Sequence, residues 1–263
     1  MKSRKPSIPY LIWMAIFTII PIFMIGFTAF TNKQGQFTLE GFTNAFYYKD
    51  VFIKSLWIAF VSTLICLLIA YPLAYFITKM KSSTQATVIM LFMIPMWMNF
   101  LLRIYAWVTL LEKNGPIDNF FSLFGIEATY LGNTGAVILG MVYEYLPFMV
   151  LPIYTVMSKI DVSLIEAAQD LGSNGTAVFK KVVFPLSLPG VISGITMVFV
   201  PSASTFLVAQ YLGGTDDVMI GDIIDDVFWS DQTTGSAIAL ILMVLIFVFL
   251  ILMNLFGDEE AIA

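Results

Sequence analysis

The chain has 263 residues, is 59% hydrophobic and only 12% charged, and has a mean hydropathy of +0.89. These values lie far outside the soluble globular range, so the chain reads as an integral membrane protein. Its net charge of -5 comes with no basic cluster able to follow a phosphate backbone, which excludes nucleic acid as a partner, and its single cysteine, Cys66, excludes an intrachain disulfide.

Six apolar blocks follow in chain order, each near the roughly 20 residues that a bilayer-crossing helix needs. They run from Pro9 to Phe30, Leu56 to Thr78, Ala86 to Leu111, Gly135 to Met157, Ser187 to Leu207 and Gly235 to Phe256. The predicted fold is an all-α membrane bundle of six transmembrane helices, forming one domain over residues 1–263 and surrounded by lipid. Lys2, Arg4 and Lys5 precede the first block in the manner of a secretory leader. The block is long for one and lacks a small-x-small cleavage site, so it is read as a retained span.

Basic residues in the connecting segments orient the bundle. Lys2, Arg4, Lys5, Lys79, Lys81, Lys159, Lys180 and Lys181 fall on one side, and Lys33, Lys49 and Lys113 on the other. This places both termini and the segment at about 158–186 in the cytoplasm. The segment at about 209–234 has six aspartates and no Lys or Arg, which fits an outer location. No catalytic set is present: there is no histidine, no metal-spaced cysteine group, no G-x-x-x-x-G-K-[ST] phosphate loop and no G-x-S-x-G elbow. The chain is therefore not read as an enzyme and is expected to carry no cofactor.

The cytoplasmic segment contains EAAQDLGSNGTAVFKKVVFP, from Glu166 to Pro185. Ser163 and Glu166 have capping-box spacing, Leu164, Ala167, Ala168 and Leu171 recur on one helical face, and Gly172 stands where a left-handed residue would end the helix. A helix of about eight residues is expected, too short to persist without something to dock against. The sequence leaves two surfaces open: the chain's own bundle or a separate protein.

Glu166, Ala167, Ala168, then Gly172, then Val182, Phe184 and Pro185 resemble the EAA-x3-G-x9-I-x-L-P loop of bacterial ABC importer permeases, with Val182 and Phe184 as departures from Ile and Leu. Asp170 and Leu171 lie inside the same loop. AYPLAYFITK, MIPMWMNFLLRIYAW, VYEYLPFMVLPIY and the glycine pair Gly213 and Gly214 resemble the permeases of spermidine/putrescine importers. The aspartate-rich outer segment and the acidic tail of Asp258, Glu259 and Glu260 depart from that pattern. The resemblance implies a type I ABC importer membrane domain in the bacterial cytoplasmic membrane that passes polyamines by alternating access. It implies a coupling helix docked on a dimeric ATPase that holds ATP and Mg, a second homologous permease and an extracytoplasmic polyamine-binding protein. Related ABC permeases for other small solutes share parts of these motifs. An ion-driven carrier is the rival from another class, and the EAA loop argues against it.

Ionisable residues inside a bilayer usually face a protein interior or a water-filled path. Arg103 and Glu144 are two such residues, and either of two arrangements suits them: they pair, or they line the path. Glu144 is read as a path residue because Tyr143, Tyr145 and Phe148 around it offer faces suited to an ammonium. Trp97, Asn99 and Tyr105 flank the same region from the third block. In the outer segment, Ile220, Ile223, Ile224 and Val227 share one face while Asp222, Asp225 and Asp226 share another, which predicts a short amphipathic helix. Six acids without a compensating cation are expected to gather a polycation at the mouth of the path.

Overall fold

The computed structural model describes residues 8–126 and 128–259. Lys2, Arg4, Lys5 and Glu260, used above to orient the chain and characterise its tail, lie outside the described residues. Eleven helical elements organise the described part: α1 (Pro9–Ala29), α2 (Glu40–Thr78), α3 (Ser82–Trp97), α4 (Phe100–Leu111), α5 (Pro116–Ser122), α6 (Thr134–Met157), α7 (Val162–Asp170), α8 (Gly175–Ser204), α9 (Leu207–Leu212), α10 (Ile220–Ser230) and α11 (Gln232–Glu259). A lone bridge joins Thr31 and Phe37. The helices α1, α2, α6, α8 and α11 are each long and apolar enough to cross a membrane.

The third apolar block departs from the continuous span that its sequence predicts. Helix α3 and the run from α4 into α5 meet at an angle of 91° and count as a sixth span only if taken together. The cause is local. A 3-10 turn at Ile94–Trp97 carries Pro95, Met98 adopts an extended conformation (ψ 153), and the Asn99 side chain caps a new helix. The fifth block is also displaced: α8 begins at Gly175, twelve residues before the expected Ser187, and stops at Ser204. Its first turns include a π-helical stretch at Phe179–Val183.

The core is built where α2, α6 and α8 approach one another. Helix α2 turns a stripe of small or compact residues inward, including Ala59, Ser62, Cys66, Ala70 and Ala74. Small residues let helix backbones come close, which is how packing is gained where lipid gives no hydrophobic drive. Gly190 and Gly194 of α8 serve the same end against α6. A Cβ on Gly190 would lie 2.9 Å from the Pro152 carbonyl oxygen, and one on Gly194 would lie 2.7 Å from the Met149 sulfur. The Tyr71 and Ser187 hydroxyls share a 2.9 Å hydrogen bond across the α2–α8 contact. A second cluster, with Ala45, Phe52, Ile220, Val227, Ile238 and Leu242, joins the start of α2 to α10 and α11. Helix α1 buries none of its apolar window within the chain, so its side chains need lipid or another protein as cover.

Candidate functional site

Three places carry the residues singled out by the sequence. The first is α7. Asp161, not Ser163, caps it: the Asp161 carboxylate accepts the Ser163 amide at 2.9 Å, and the helix runs from Val162 to Asp170. The expected capping box is thus overturned, because a carboxylate two residues earlier satisfies the free amides and the positive helix end. The Ser163 amide, and then its hydroxyl, hold the Asp161 carboxyl below the usual carboxylate range. Glu166 is left exposed with no capping duty.

The other end follows the expectation. Gly172 adopts φ +84, its amide donates to the Gln169 carbonyl at 2.8 Å, and the Ser173 amide donates to Ala168 at 3.1 Å. This double bond pattern is a Schellman motif, which needs a residue free to take left-handed φ. Ala167, Asp170 and Leu171 are exposed and Ala168 is half-buried. Val162, Leu164 and Leu171 are 62%, 49% and 88% exposed, so the apolar side chains of α7 find little cover within the chain. Pro185 is exposed in the first turn after the π-helical stretch.

The second place lies between α4 and α6. Arg103 Nη1 and Glu144 Oε2 pair at 2.8 Å with both side chains buried. Arg103 Nε and Glu144 Oε1 have no hydrogen-bond partner among the described residues. Tyr145 is buried beside them, and Tyr143 meets the Trp107 ring edge-on at 5.4 Å. Asn99 is committed to capping: its Oδ1 accepts the amides of Leu101 and Leu102 at 2.9 and 3.4 Å. Tyr105 packs against Tyr211 at 5.0 Å between ring centroids. Trp97 and Phe148 are exposed on the surface of the chain. Trp107 carries no local signal in the sequence, since its contact with Tyr143 joins α4 to α6 and forms only in the assembled fold.

The third place is at the opposite end of the bundle from α7. Helix α10 forms at Ile220–Ser230 with the amphipathic pattern that its sequence predicts. Its Asp222 accepts the Met219 amide at 2.9 Å, and burial pushes the Asp222 carboxyl up from its ordinary value. Asp225 and Asp226 are exposed. The expectation of six uncompensated acids is corrected here. Lys54 Nζ of α2 lies 2.8 Å from Asp217 Oδ1, and Asp231 accepts the Thr233 amide at 3.2 Å at the start of α11. The Thr134 hydroxyl and the Gly214 amide also donate to Asp217, at 2.6 and 3.2 Å. Burial opposes ionisation of Asp217, but the Lys54, Thr134 and Gly214 donors outweigh it and hold the carboxyl below its usual range. Lys54 and Asp217 were missed because a contact across 163 positions leaves no local trace in the sequence. The one available signal was a lysine just before an apolar block.

The family described as "Binding-protein-dependent transport system inner membrane component" matches residues 2–258. The chain belongs to this family. This permease is 33% identical over 245 residues to the spermidine/putrescine transport system permease protein PotB of Escherichia coli, covering 88% of this chain and 89% of that one. It is 35% identical over 246 residues to PotB of Haemophilus influenzae, with 89% and 86% covered. Among solved structures, it resembles a chain of a bacterial ABC transporter involved in the import of the acidic polysaccharide alginate, with TM-score 0.74, 18% identity and coverage of 95% and 93%. A chain of the MetNI methionine ABC transporter gives TM-score 0.61, 16% identity and coverage of 80% and 94%. The fold is that of ABC importer membrane subunits, and the permease is a multi-pass bacterial inner-membrane protein. Its relatives are transport permeases and not enzymes. Among the described residues no group of three metal-ligating side chains occurs.

Proposed function

We propose that this permease is a membrane subunit of an ABC importer for polyamines, spermidine or putrescine, moved between outward and inward access by a separate ATPase. A single permease domain carries both parts: a cytoplasmic coupling loop at about 158–186 and an outer acidic loop at about 209–234. The observation that carries the coupling half is the exposure of α7. A capped helix of nine residues with uncovered apolar side chains is marginal alone, and a groove on a partner would stabilise it. The chain continues from α7 through Gly175 directly into α8, so a push on α7 reaches the α2–α6–α8 core. Polyamine identity rests on the spermidine/putrescine relatives.

In this reading Glu166, Ala167, Ala168, Asp170, Leu171, Gly172 and Pro185 form the coupling surface, and ATP and Mg are held by a dimeric partner ATPase. Glu144 lines the path. Its Oε2 is held by Arg103, while Oε1 is buried with no hydrogen-bond partner among the described residues, so an ammonium donor reaches it only when access to the site opens. Tyr143, Tyr145, Trp97, Tyr105 and Phe148 supply aromatic faces as a second permease closes around α4 and α6, and Asn99 keeps the bend between α3 and α4. Asp225 and Asp226, with Asp222, draw cations to the mouth, where an extracytoplasmic binding protein delivers its cargo. Both termini are cytoplasmic. Affinity purification of the full chain from native membranes, followed by identification of what accompanies it, tests the assembly: a second permease and an ATPase are expected. Recovery of the chain alone under conditions that preserve other ABC importers would contradict it.

A further inference from the structure

The Lys54–Asp217 contact does more than neutralise a charge. Asp217 is 5% exposed, and its two oxygens are pre-oriented by the Thr134 hydroxyl and the Gly214 amide. The loop that carries it is pinned: the Gly132 amide donates to Leu212 at 3.0 Å, and a Cβ on Gly214 would lie 2.5 Å from the Gly132 carbonyl oxygen. Into this fixed pocket Lys54 inserts an ammonium that donates to Asp217 Oδ1 and to the Asp216 carbonyl oxygen. The carboxylate is buried and rigid, while the lysine side chain is 34% exposed.

A lysine side chain is a primary ammonium on a flexible four-carbon stem. One end of putrescine, and the four-carbon end of spermidine, have the same chemistry. We propose that Asp217, with the Asp216 carbonyl, is a subsite for a primary alkylammonium, which Lys54 occupies in this conformation and the terminal ammonium of a polyamine takes by exchange. The exchange is balanced in charge: one ammonium leaves the carboxylate as another arrives, and Lys54 swings outward from a position where its side chain is already 34% exposed. It is also energetically accessible, because the arriving ammonium replaces the charge and the N–H donors that Lys54 withdraws, so the buried carboxylate ends the exchange paired. Arg103 and Glu144 offer no such route, since a displaced guanidinium there would be left buried and unpaired. Release of Lys54 removes the salt bridge between α2 and the loop before α10, while the Ile220 amide still donates to Ser55 Oγ of α2 at 2.8 Å, so substrate arrival weakens this contact without undoing it. The identity of the exchanging amine rests on the polyamine reading above; the subsite itself does not.

The test uses the full chain purified with its accompanying subunits. In Lys54→Ala the ammonium is vacated, and n-butylammonium should refill it: the thermal midpoint rises saturably with n-butylammonium and not with tetramethylammonium at equal ionic strength, which has no N–H to donate. Lys54→Ala/Asp217→Asn should lose that difference. Equal responses to the two amines in Lys54→Ala would overturn the subsite. If Lys54→Ala does not assemble, Lys54→Met keeps the stem and removes the built-in competitor. The putrescine concentration giving half-maximal stabilisation should then fall about fivefold relative to the unaltered chain, the factor for a pair worth about 1 kcal/mol. An unchanged or higher value overturns the proposal. Labelled putrescine uptake by the unaltered transporter separates the two claims: amine-specific refilling without uptake rejects the transport reading alone, and uptake without refilling rejects the subsite alone.

Discussion

Arg103 is the fourth residue of α4, close to the positive end of the helix dipole. A buried guanidinium there is disfavoured twice, by desolvation and by the helix dipole, and the Glu144 carboxylate at 2.8 Å offsets both. Removing one member of such a pair typically costs about 3–5 kcal/mol, because the other stays buried with its charge. Glu144→Gln is therefore expected to reduce yield of the assembled transporter, and Glu144→Gln/Arg103→Gln to restore it. The double variant also decides what else Glu144 does. As a path residue it leaves a folded transporter with impaired uptake; full recovery of uptake would assign the pair to structure alone. At Asp217 the pH dependence has a definite sign. Its folded-state carboxyl is held low, so its contribution to stability is present above the ordinary aspartate pKa and is lost as pH falls through the lower folded value. Asp217→Asn should flatten the acid limb of a thermal-midpoint titration.

At the scale of elements, the α7 terminus and the α6–α8 contact respond to substitution for different reasons. Gly172 has open space around its Cβ position but φ +84, so Gly172→Val strains the backbone without a clash, by roughly 1–2 kcal/mol. The expected result is a transporter that folds while substrate-stimulated ATP hydrolysis falls; unchanged hydrolysis would remove α7 from the coupling account. Gly190 and Gly194 have the reverse problem, space and not φ. The Gly190 neighbour is a backbone carbonyl, whereas the nearest Gly194 neighbour is the sulfur of a flexible methionine. Gly190→Ala should accordingly lower the thermal midpoint more than Gly194→Ala. The same elements show what the sequence revealed. Helix α7 and its glycine end were legible because both signals are local. Its start was not, since Asp161 and Ser163 are both acceptable caps and the path of the chain leaving α6 chooses between them. The break after α3 was also hidden: Pro72, Pro147 and Pro152 sit inside unbroken helices, so Pro95 alone does not announce a 91° bend. Arg103 and Glu144 could be picked out as rare intramembrane ions, whereas Lys54 with Asp217 needed the assembled fold.

Across the whole molecule, the two ends are built for different tasks. One end leaves α7 exposed, where the proposed function docks a partner, and the other ties α2, α6 and the loop before α10 through Asp217. Opposite faces of the membrane are expected for them, so single cysteines near Lys81 and Asp216, in a chain lacking Cys66, should react with an impermeant reagent from opposite sides. Reaction from the same side would require a different span count. On the proposed function, this permease carries polyamines under the power of ATP hydrolysed elsewhere. The most direct measurement is uptake of labelled spermidine and putrescine into cells lacking their own polyamine importers, with this chain and its co-purifying subunits supplied. Uptake that requires the chain, ceases when ATP is depleted and is blocked by excess unlabelled polyamine is the expected result. A fully assembled, ATP-hydrolysing complex that accumulates neither polyamine would contradict it.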